Sequence, residues 1–365
     1  MIKVCINGFG TVGKRIGCWL FLHPEVKLIG VSKFTPDADA RFANMQKFPL
    51  FVKQEKRKDF EDKGMEVAGT LESMFEEADV VIDASDKWGA ENKKTYYDPM
   101  GKIATLQGGE KHESTGFSFN SRANFEQAEG KRCARVVSCG TTALLRTLIP
   151  LSENYGIKNI MVQILRRAAD PADDRSGPIN SVNWKMNSHH GADVKTVHPL
   201  PIVTNAFKIP HTHMHVHLIT VEFNGKVPKK EDYYELYRKE GRVALIEEAS
   251  STSEMMERMR DLGFERNDSY LAHLHINTYS PVNGGTSFVV TVPQESIVVP
   301  ENIDAVFALM GGYEKNKTME QTDKVMGIAK KREMLERIFS NKKKADKQES
   351  EPLKEKKVKT QTITK

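Results

Sequence analysis

The first thirty residues carry the feature that most constrains the fold, a glycine-rich turn between two apolar segments. Residues 2–6 form a short apolar run typical of a strand, and the sequence GFGTVG at residues 8–13 follows at once. Apolar residues then recur at helical spacing between Val12 and Leu20, and residues 26–31 form a second apolar run. A strand, a GxGxxG turn, a helix and a strand in this order predict a dinucleotide-binding βαβ unit.

Each glycine of this turn has a separate role in that prediction. Gly8 permits the tight turn, Gly10 lets the backbone approach a pyrophosphate, and Gly13 lets the helix pack closely on the strand. The pyrophosphate would meet the positive end of the helix. A glycine-rich turn without any ligand is the alternative interpretation.

The end of the second strand indicates the type of dinucleotide. Ser32 and Lys33 stand where an NAD-selective site usually has a carboxylate, and a cation suits the 2′-phosphate of NADP. Asp37 and Asp39 follow closely and favour NAD. The predicted cofactor is therefore NADP or NAD.

The rest of the chain predicts two further kinds of structure. Strands at 79–84, 102–106 and 134–137 alternate with helical stretches such as 70–77, which indicates a doubly wound parallel sheet. After Pro150, strands at 160–165, 214–223 and 287–292 and charged helical stretches at 231–245 and 253–262 indicate a mixed or antiparallel sheet with helices on one face. The predicted fold class is α/β, with an N-terminal Rossmann domain (residues 1–138) and an α+β domain (residues 139–300). A helix at 301–328 is expected to pack back on the first domain.

Charge and composition exclude several classes of protein. From Ala329 onward there are 13 Lys/Arg and 6 Asp/Glu, so the net charge of +5 comes from a basic tail (residues 329–365), predicted to be partly helical and then disordered. We expect no membrane span and no secretory signal, because the apolar runs are short and a strand begins at Ile2. The four cysteines form no CxxC pair, which favours reduced thiols in the cytoplasm. Nucleic-acid binding is not expected beyond contacts from the tail.

Cys139 is the candidate nucleophile. It follows the strand at 134–137 directly and precedes an apolar helix, and a helix N-terminus stabilises a thiolate. Cys5 lies within a strand and Cys18 within a helix, so both are expected in the core, and Cys133 is placed in a charged loop.

Alternating histidines form the second chemical feature. If one strand extends through His211, His213, His215 and His217, all four side chains share a face. They could chelate a metal or supply a base for Cys139. No metal site is predicted, because no nearby Cys or acidic residue completes a ligand set.

Together these segments resemble the archaeal-type (class II) phosphorylating glyceraldehyde-3-phosphate dehydrogenases. The resemblance covers residues 1 to about 328 and is carried by INGFGTVGKR (6–15), LQGGEKHE (106–113), RVVSCGTTALLRTL (135–148), RRAADP (166–171), SHHG (188–191), HMHVH (213–217) and QESIVVPENIDAV (294–306). It implies a cytoplasmic homotetramer of glycolysis that uses the aldehyde substrate and inorganic phosphate.

The resemblance also implies residue roles. Cys139 would be the nucleophile and His215 the base. The implied cofactor contacts, besides the glycines of the turn, are Thr11, Val12, Lys33, Gly109, Arg167 and Gln294. The implied substrate contacts are Ser138, Cys139, Gly140, His190 and Gly191. The need to bind two phosphates adds Arg166 and Arg167, with Thr141 and Arg175 as weaker candidates.

Four departures from the family pattern keep alternatives open. Gly140 replaces the usual Asn after the nucleophile, Phe34 replaces a small polar residue, Pro293 replaces a histidine, and His211 and His213 are additional. A related cysteine-dependent semialdehyde dehydrogenase is one alternative. The other is a binding protein, for example of RNA, on a retained dehydrogenase scaffold.

Overall fold

The N-terminal half alternates short buried strands with helices, as its apolar pattern predicts. The structure, a computed structural model, describes residues 1–107, 109–167 and 182–340 of the chain. The strands are β1 (Ile2–Asn7), β2 (Val26–Ser32), β3 (Leu50–Val52), β4 (Gly69–Thr70), β5 (Val80–Asp83), β6 (Ile103–Leu106), β7 (Ser118–Phe119) and β8 (Cys133–Val136). The α-helices between them are α1 (Thr11–Leu22), α2 (Ala38–Met45), α3 (Arg57–Glu61), α4 (Leu71–Glu77), α5 (Gly89–Asn92) and α6 (Ser121–Asn124).

These strands form one parallel sheet. Within the described residues its order is β4-β3-β2-β1-β5-β6-β8-β7, and each neighbouring pair runs parallel. The strand order reverses at β1, which has β2 on one side and β5 on the other. Such a switch point leaves a crevice at the carboxyl ends of the strands, where α/β proteins bind ligands.

The second half builds a mixed sheet, which confirms the predicted fold class. Its strands are β9 (Ile157–Arg167), β10 (Asn183–Lys185), β11 (Ile202–Ile209), β12 (His215–Phe223), β13 (Val243–Ile246), β14 (Ala272–Val282) and β15 (Gly285–Val292). Its helices are α7 (Cys139–Asn154), α8 (His189–Lys195), α9 (Lys230–Tyr237) and α10 (Thr252–Asp261). The strand order in the described part is β10-β11-β9-β12-β15-β14-β13, with parallel pairs β11–β9 and β13–β14 and antiparallel pairs elsewhere.

The two faces of this mixed sheet differ. Helix α7 packs on β14 and β15, and the apolar side chains between them are fully buried. On the central strands β9, β11 and β12, the side chains of Met161, Val203 and Leu218 are each 36–41 % exposed. We call these three residues the open sheet face.

Three helices complete the described chain: α11 (Val299–Met310), α12 (Lys315–Met326) and α13 (Ile328–Ile338). Helix α11 packs on α1, β6 and β8. The prediction of a single helix over 301–328 is wrong, because Gly311 and Gly312 adopt positive φ values of 73° and 77° and end α11. Leu335 of α13 is buried against the core, whereas residues 341–365 lie outside the described residues. The domain boundaries at 138 and 300 stay predictions.

Two local predictions are also wrong. The charged stretch 231–245 is helical only to Tyr237, since the fully buried run Val243–Ile246 pairs with β14 as a strand. Cys133 does not lie in a charged loop; it is the first residue of β8, and burial raises its pKa to about 12. Additional strands, including β11 and β14, were not expected.

Candidate active site

The glycine-rich turn lies at the switch point between β1 and α1. Gly8 has a φ of +100°, and a Cβ there would lie 2.7 Å from the backbone nitrogen of Ser85. A Cβ at Gly13 would lie 2.0 Å from the carbonyl oxygen of Gly8, so helix and strand meet at contact distance only because this residue is glycine. Gly10, by contrast, faces open space and leaves the first amides of α1 accessible.

A cavity of about 820 Å³ opens beside this turn, and we call it the turn cavity. Its size falls within the range of small-molecule sites. Of the predicted cofactor residues, Gly8, Gly10, Thr11, Val12 and Lys33 line it. Gly13 lies in the helix beneath the turn and is not part of the lining.

Lys33 is already engaged by two carboxylates. Its Nζ lies 2.7 Å from Asp37 Oδ2 and 3.8 Å from Asp39 Oδ2, and Lys14 Nζ lies 2.7 Å from Asp39 Oδ1. Burial would raise the pKa of Asp37, but hydrogen bonds from Lys33 and the Ala40 N–H outweigh it, and the pKa lies below its ordinary value. Two cations and two carboxylates therefore offset one another where a 2′-phosphate would bind.

Cys139 opens helix α7 three residues after β8 ends. The Ser138 Oγ caps the helix by accepting from the Thr141 N–H at 3.4 Å, and it lies 3.0 Å from Thr141 Oγ1. The expected lowering of the Cys139 pKa does not hold: burial raises this pKa above its ordinary value, although Arg167, Arg166 and the Gly140 N–H act in the opposite direction. Desolvation of the thiol outweighs the effect of the helix N-terminus.

A second cavity, of about 590 Å³, surrounds the thiol, and we call it the thiol cavity. The predicted residues Val12, Gly109, Ser138, Cys139, Arg167 and Gln294 line it. Val12 and Gln107 line both cavities, so the two adjoin. The buried Gln294 Oε1 has no hydrogen-bond partner among the described residues, which fits a ligand that donates to it. This cradle of glycines, an open helix end and an unpartnered acceptor fits a dinucleotide.

His215 is buried at the start of β12, beside Arg167. The Arg167 backbone N–H donates to His215 Nδ1 at 3.2 Å, so the neutral ring carries its proton on Nε2. The Arg167 guanidinium pairs with Glu295. Burial, reinforced by His217 and Arg166, holds the pKa of His215 well below its ordinary value, so the ring is neutral.

The four alternating histidines do not share one strand face. Met214 has a φ of +60° and interrupts the extended backbone, and the strand begins at His215. His211 and His213 therefore precede the strand. Within the described residues, no group of three or more His, Cys, Asp or Glu side chains is arranged to hold a metal ion.

Gly140 adjoins a histidine cluster next to Cys139. A Cβ at this position would lie 2.9 Å from His190 Cδ2 and 3.5 Å from His217 Nε2. The His190 ring is held by Ser188 Oγ at 3.1 Å from its Nδ1, and the Gly191 N–H donates to Thr204 Oγ1 at 2.9 Å. The space that a side chain at residue 140 would occupy is thus filled by imidazole.

Not every predicted site residue reaches a cavity wall. Among the described residues, the two linings leave out the following predicted positions: Gly13, Gly140, Thr141, Arg166, His190, Gly191 and His215. Arg166 is exposed at the end of β9, and Arg175 lies outside the described residues.

Several lining residues were missed by the sequence reasoning. Glu295 pairs with Arg167, and Gln107 accepts from Asn302 Nδ2 at 2.6 Å. Both stand within matched motifs, so their position next to Gln294 and Gly109 was the available signal. Arg135 also lines the thiol cavity and pairs with Asp193 at 2.9 Å, a contact between residues 58 apart that has no local signal.

A Rossmann-type sheet whose ligand cavity adjoins a cysteine at a helix N-terminus is typical of cysteine-dependent dehydrogenases that use a dinucleotide. Residues 138–253 match the family model for the glyceraldehyde 3-phosphate dehydrogenase C-terminal domain. The chain is 44 % identical over 337 residues to the glyceraldehyde-3-phosphate dehydrogenase of Methanothermus fervidus, and 43 % identical over 338 residues to that of Metallosphaera sedula. Each alignment covers 90 % of this chain and 99 % of the relative. The chain belongs to the glyceraldehyde-3-phosphate dehydrogenase family, and the resemblance seen in its motifs is confirmed.

Across the described residues, no helix is both long and apolar enough to cross a membrane.

Proposed function

We propose that the protein catalyses the NAD(P)-dependent oxidative phosphorylation of D-glyceraldehyde 3-phosphate to 1,3-bisphosphoglycerate, a step of glycolysis and gluconeogenesis. The observation that carries this proposal is the placement of Cys139 in a cavity that adjoins the glycine-lined turn cavity. A dinucleotide whose adenosine half occupies the turn cavity can extend its other end toward the thiol. The semialdehyde alternative keeps this chemistry and changes the substrate.

The thiol chemistry follows from the cavity. The Cys139 thiolate adds to the aldehyde carbon, so the C–S bond forms as the C=O π bond breaks. The resulting alkoxide takes up the proton that the thiol lost, which gives a thiohemiacetal. The bound nicotinamide supplies a hydride acceptor. When the thiohemiacetal carbon loses its hydride, its hydroxyl loses a proton, and a thioester results. A phosphate oxygen then attacks the thioester carbonyl, the C–S bond breaks and the thiolate leaves.

His215 would serve this sequence in two ways. Its Nε2–H first donates a hydrogen bond to the substrate oxygen, because Nδ1 is engaged by the Arg167 N–H. To act as the base for the hydroxyl proton, the ring must carry its proton on Nδ1 instead, which breaks the contact with the Arg167 N–H and leaves Nε2 free to accept. Arg167 thereby orients the ring through its backbone while its side chain lines the thiol cavity.

The two phosphate groups need cations and amide donors. Arg166 offers an exposed guanidinium at the end of β9. The other proposed substrate contacts remain Ser138, Gly140, Thr141, His190 and Gly191. The positive charge of Arg166 also opposes the rise that burial causes in the pKa of Cys139. The same cation would thus bind substrate and favour the thiolate.

For the cofactor we propose use of both NADP and NAD. Lys33 supports NADP, but Asp37 and Asp39 already neutralise it, and a 2′-phosphate would have to displace a carboxylate. We propose dual use because the 2′-phosphate and the carboxylates of Asp37 and Asp39 compete for Lys33, so neither cofactor is strongly favoured.

We also propose a cytoplasmic homotetramer. The open sheet face leaves the apolar side chains of Met161, Val203 and Leu218 exposed. Neighbouring exposed apolar side chains of this kind mark protein–protein interaction sites. A second copy of the chain would bury this face. The reduced state of all four cysteines suits the cytoplasm.

The test is NADPH or NADH formation from D-glyceraldehyde 3-phosphate with and without inorganic phosphate, with Cys139→Ser as control. Phosphate-dependent turnover that disappears in the variant supports the proposal. Turnover without phosphate would indicate a non-phosphorylating enzyme. Turnover of aspartate semialdehyde without turnover of glyceraldehyde 3-phosphate would favour the semialdehyde alternative.

A further inference from the structure

Two large aromatic side chains are exposed on the wall of the turn cavity. Phe34 is 54 % exposed and Trp88 is 63 % exposed, and both line this cavity with Gly10 and Lys33. Exposed rings of this size have an energetic cost in water, and an aromatic ring offers a flat face to a planar ligand. Neither residue has a role in the chemistry at Cys139.

The topology places the loops that carry the two rings on opposite sides of β1. Phe34 follows β2, and Trp88 follows β5, and these two strands flank β1 in the sheet. Strands two positions apart are separated by about 9–10 Å. A planar base between two rings needs about 7–8 Å, that is, two contacts of about 3.5–4 Å. The spacing of the strands therefore suits a base sandwiched between the two rings.

Neighbouring contacts hold the Phe34 ring and the backbone of Trp88 in place. The Lys53 Nζ lies over the Phe34 ring at 4.9 Å from its centroid, which covers one ring face and leaves the other for a ligand. Trp88 is the N-cap of α5, and its carbonyl accepts from the Asn92 N–H at 2.8 Å. Asn92 in turn donates to the buried Asp83 at 2.8 Å, so the loop that carries Trp88 is tied to the end of β5.

We propose that Phe34 and Trp88 form a two-sided clamp for the adenine ring of the dinucleotide. The assignment to adenine follows from position: the adjacent Lys33 and Asp37 stand at the end of β2, where the adenosine ribose of a dinucleotide binds. The clamp rests on the proposed use of a dinucleotide. It makes Phe34, a departure from the family pattern, a cofactor-binding residue.

The probe for this clamp is adenosine 5′-monophosphate, which has no nicotinamide and does not depend on the thiol. Base stacking on an aromatic ring predicts that Phe34→Ala and Trp88→Ala each weaken AMP binding by about fivefold or more in calorimetric titration of the full chain. Phe34→Tyr and Trp88→Phe keep a ring and should bind AMP within about twofold of the wild type. Ribose 5-phosphate, which lacks the base, should bind equally to all of them.

Two controls match the variants in residue type and exposure. Phe21→Ala and Trp184→Ala remove rings that are 57 % and 72 % exposed but line neither cavity, and AMP binding should not change. Fluorescence gives a second measurement: AMP should quench the tryptophan emission of the wild type, and this quenching should be lost in Trp88→Phe although binding is retained.

The outcomes separate the clamp from the proposed function. Wild-type AMP affinity in either alanine variant, or no AMP binding by the wild type, overturns the clamp. Weakened AMP binding in both alanine variants supports it even if no turnover of glyceraldehyde 3-phosphate is found, in which case the proposed function alone fails. Turnover by a protein whose alanine variants bind AMP normally refutes the clamp alone.

Discussion

The buried ion pair between Arg146 and Glu301 fixes the helix that begins with Cys139. Arg146 lies on α7 and Glu301 on α11, and their side chains are 3 % and 1 % exposed. Glu301 Oε1 accepts from Arg146 Nε at 3.1 Å and Nη2 at 2.7 Å. Glu301 Oε2 accepts from the Ser121 N–H at 2.7 Å and from Asn120 Nδ2 at 3.0 Å.

We predict that Glu301→Gln lowers the free energy of unfolding by about 3–5 kcal/mol, the usual cost of breaking a buried ion pair. The magnitude can be worked from the contacts. The amide of glutamine replaces one acceptor oxygen by an NH₂ group. Each oxygen of Glu301 accepts two hydrogen bonds, so two N–H donors would then face this NH₂ group instead of an acceptor. Losing two hydrogen bonds, each about 1.5–3 kcal/mol when a charged group takes part, gives a similar figure.

The pH dependence of stability should change with the substitution. Burial alone would raise the pKa of Glu301. The positive charges of Arg146 and Arg242 lower it by a larger amount, so the pKa lies below its ordinary value of 4.5. A lowered folded-state pKa stabilises the fold above the unfolded-state value, and this stabilisation is lost as the pH falls through the folded-state pKa. Wild-type stability should therefore fall below about pH 4.5 more steeply than that of the variant.

Urea unfolding followed by circular dichroism measures both effects. Glu61→Gln is the matched control, because Glu61 pairs with Arg57 at 2.7 Å but is 47 % exposed, and we expect a change of at most about 1 kcal/mol. A loss below about 1 kcal/mol for Glu301→Gln, or equal effects of the two substitutions, would refute the reasoning.

Three further outcomes are expected. Gly140→Ala should cost about 1–3 kcal/mol of unfolding free energy in the same urea assay, because its Cβ would lie 2.9 Å from His190; a loss under about 0.5 kcal/mol contradicts this. Asp37→Asn keeps the cap of α2 and releases Lys33, so NADP affinity relative to NAD should rise by up to about fivefold in binding titrations; an unchanged ratio contradicts the dual-cofactor proposal. Leu218→Glu places a charge on the open sheet face and should reduce the mass measured by light scattering, whereas an unchanged tetramer would place the interface elsewhere.

Local patterns were sufficient to predict the dinucleotide fold and the place of the candidate nucleophile, Cys139, at the start of a helix. The turn at residues 8–13 and the strand before Cys139 are encoded by short periodic segments, and the structure has both elements where the sequence predicts them. The alternating histidines suggested one strand from His211 to His217, but the positive φ of Met214 interrupts the extended backbone, and the strand begins only at His215. A positive φ at one residue cannot be seen in a pattern of polar and apolar residues. Charges around 231–242 likewise masked the short buried strand at Val243.

Properties that depend on distant contacts could not be predicted from the sequence. The pKa of Cys139 is raised by burial, which depends on how the second sheet packs over α7. The partners Arg146 and Glu301 are 155 residues apart, and the clamp residues Phe34 and Trp88 come from different loops. In each case the sequence supplies the residue types, while the topology decides which of them meet.

The packing of α11 has a consequence for how the chain folds during synthesis. Helix α11 covers β6, β8 and α1, yet it follows β8 by about 160 residues. At about 5–20 residues per second, a ribosome needs roughly 8–30 s to make that stretch. During this time the apolar surface beneath α11 stays uncovered on the nascent chain. The strands of the parallel sheet are thus synthesised first, but α11 covers this side of the sheet only after residue 310 is made. Chaperone binding to the uncovered surface should end when Met310 emerges.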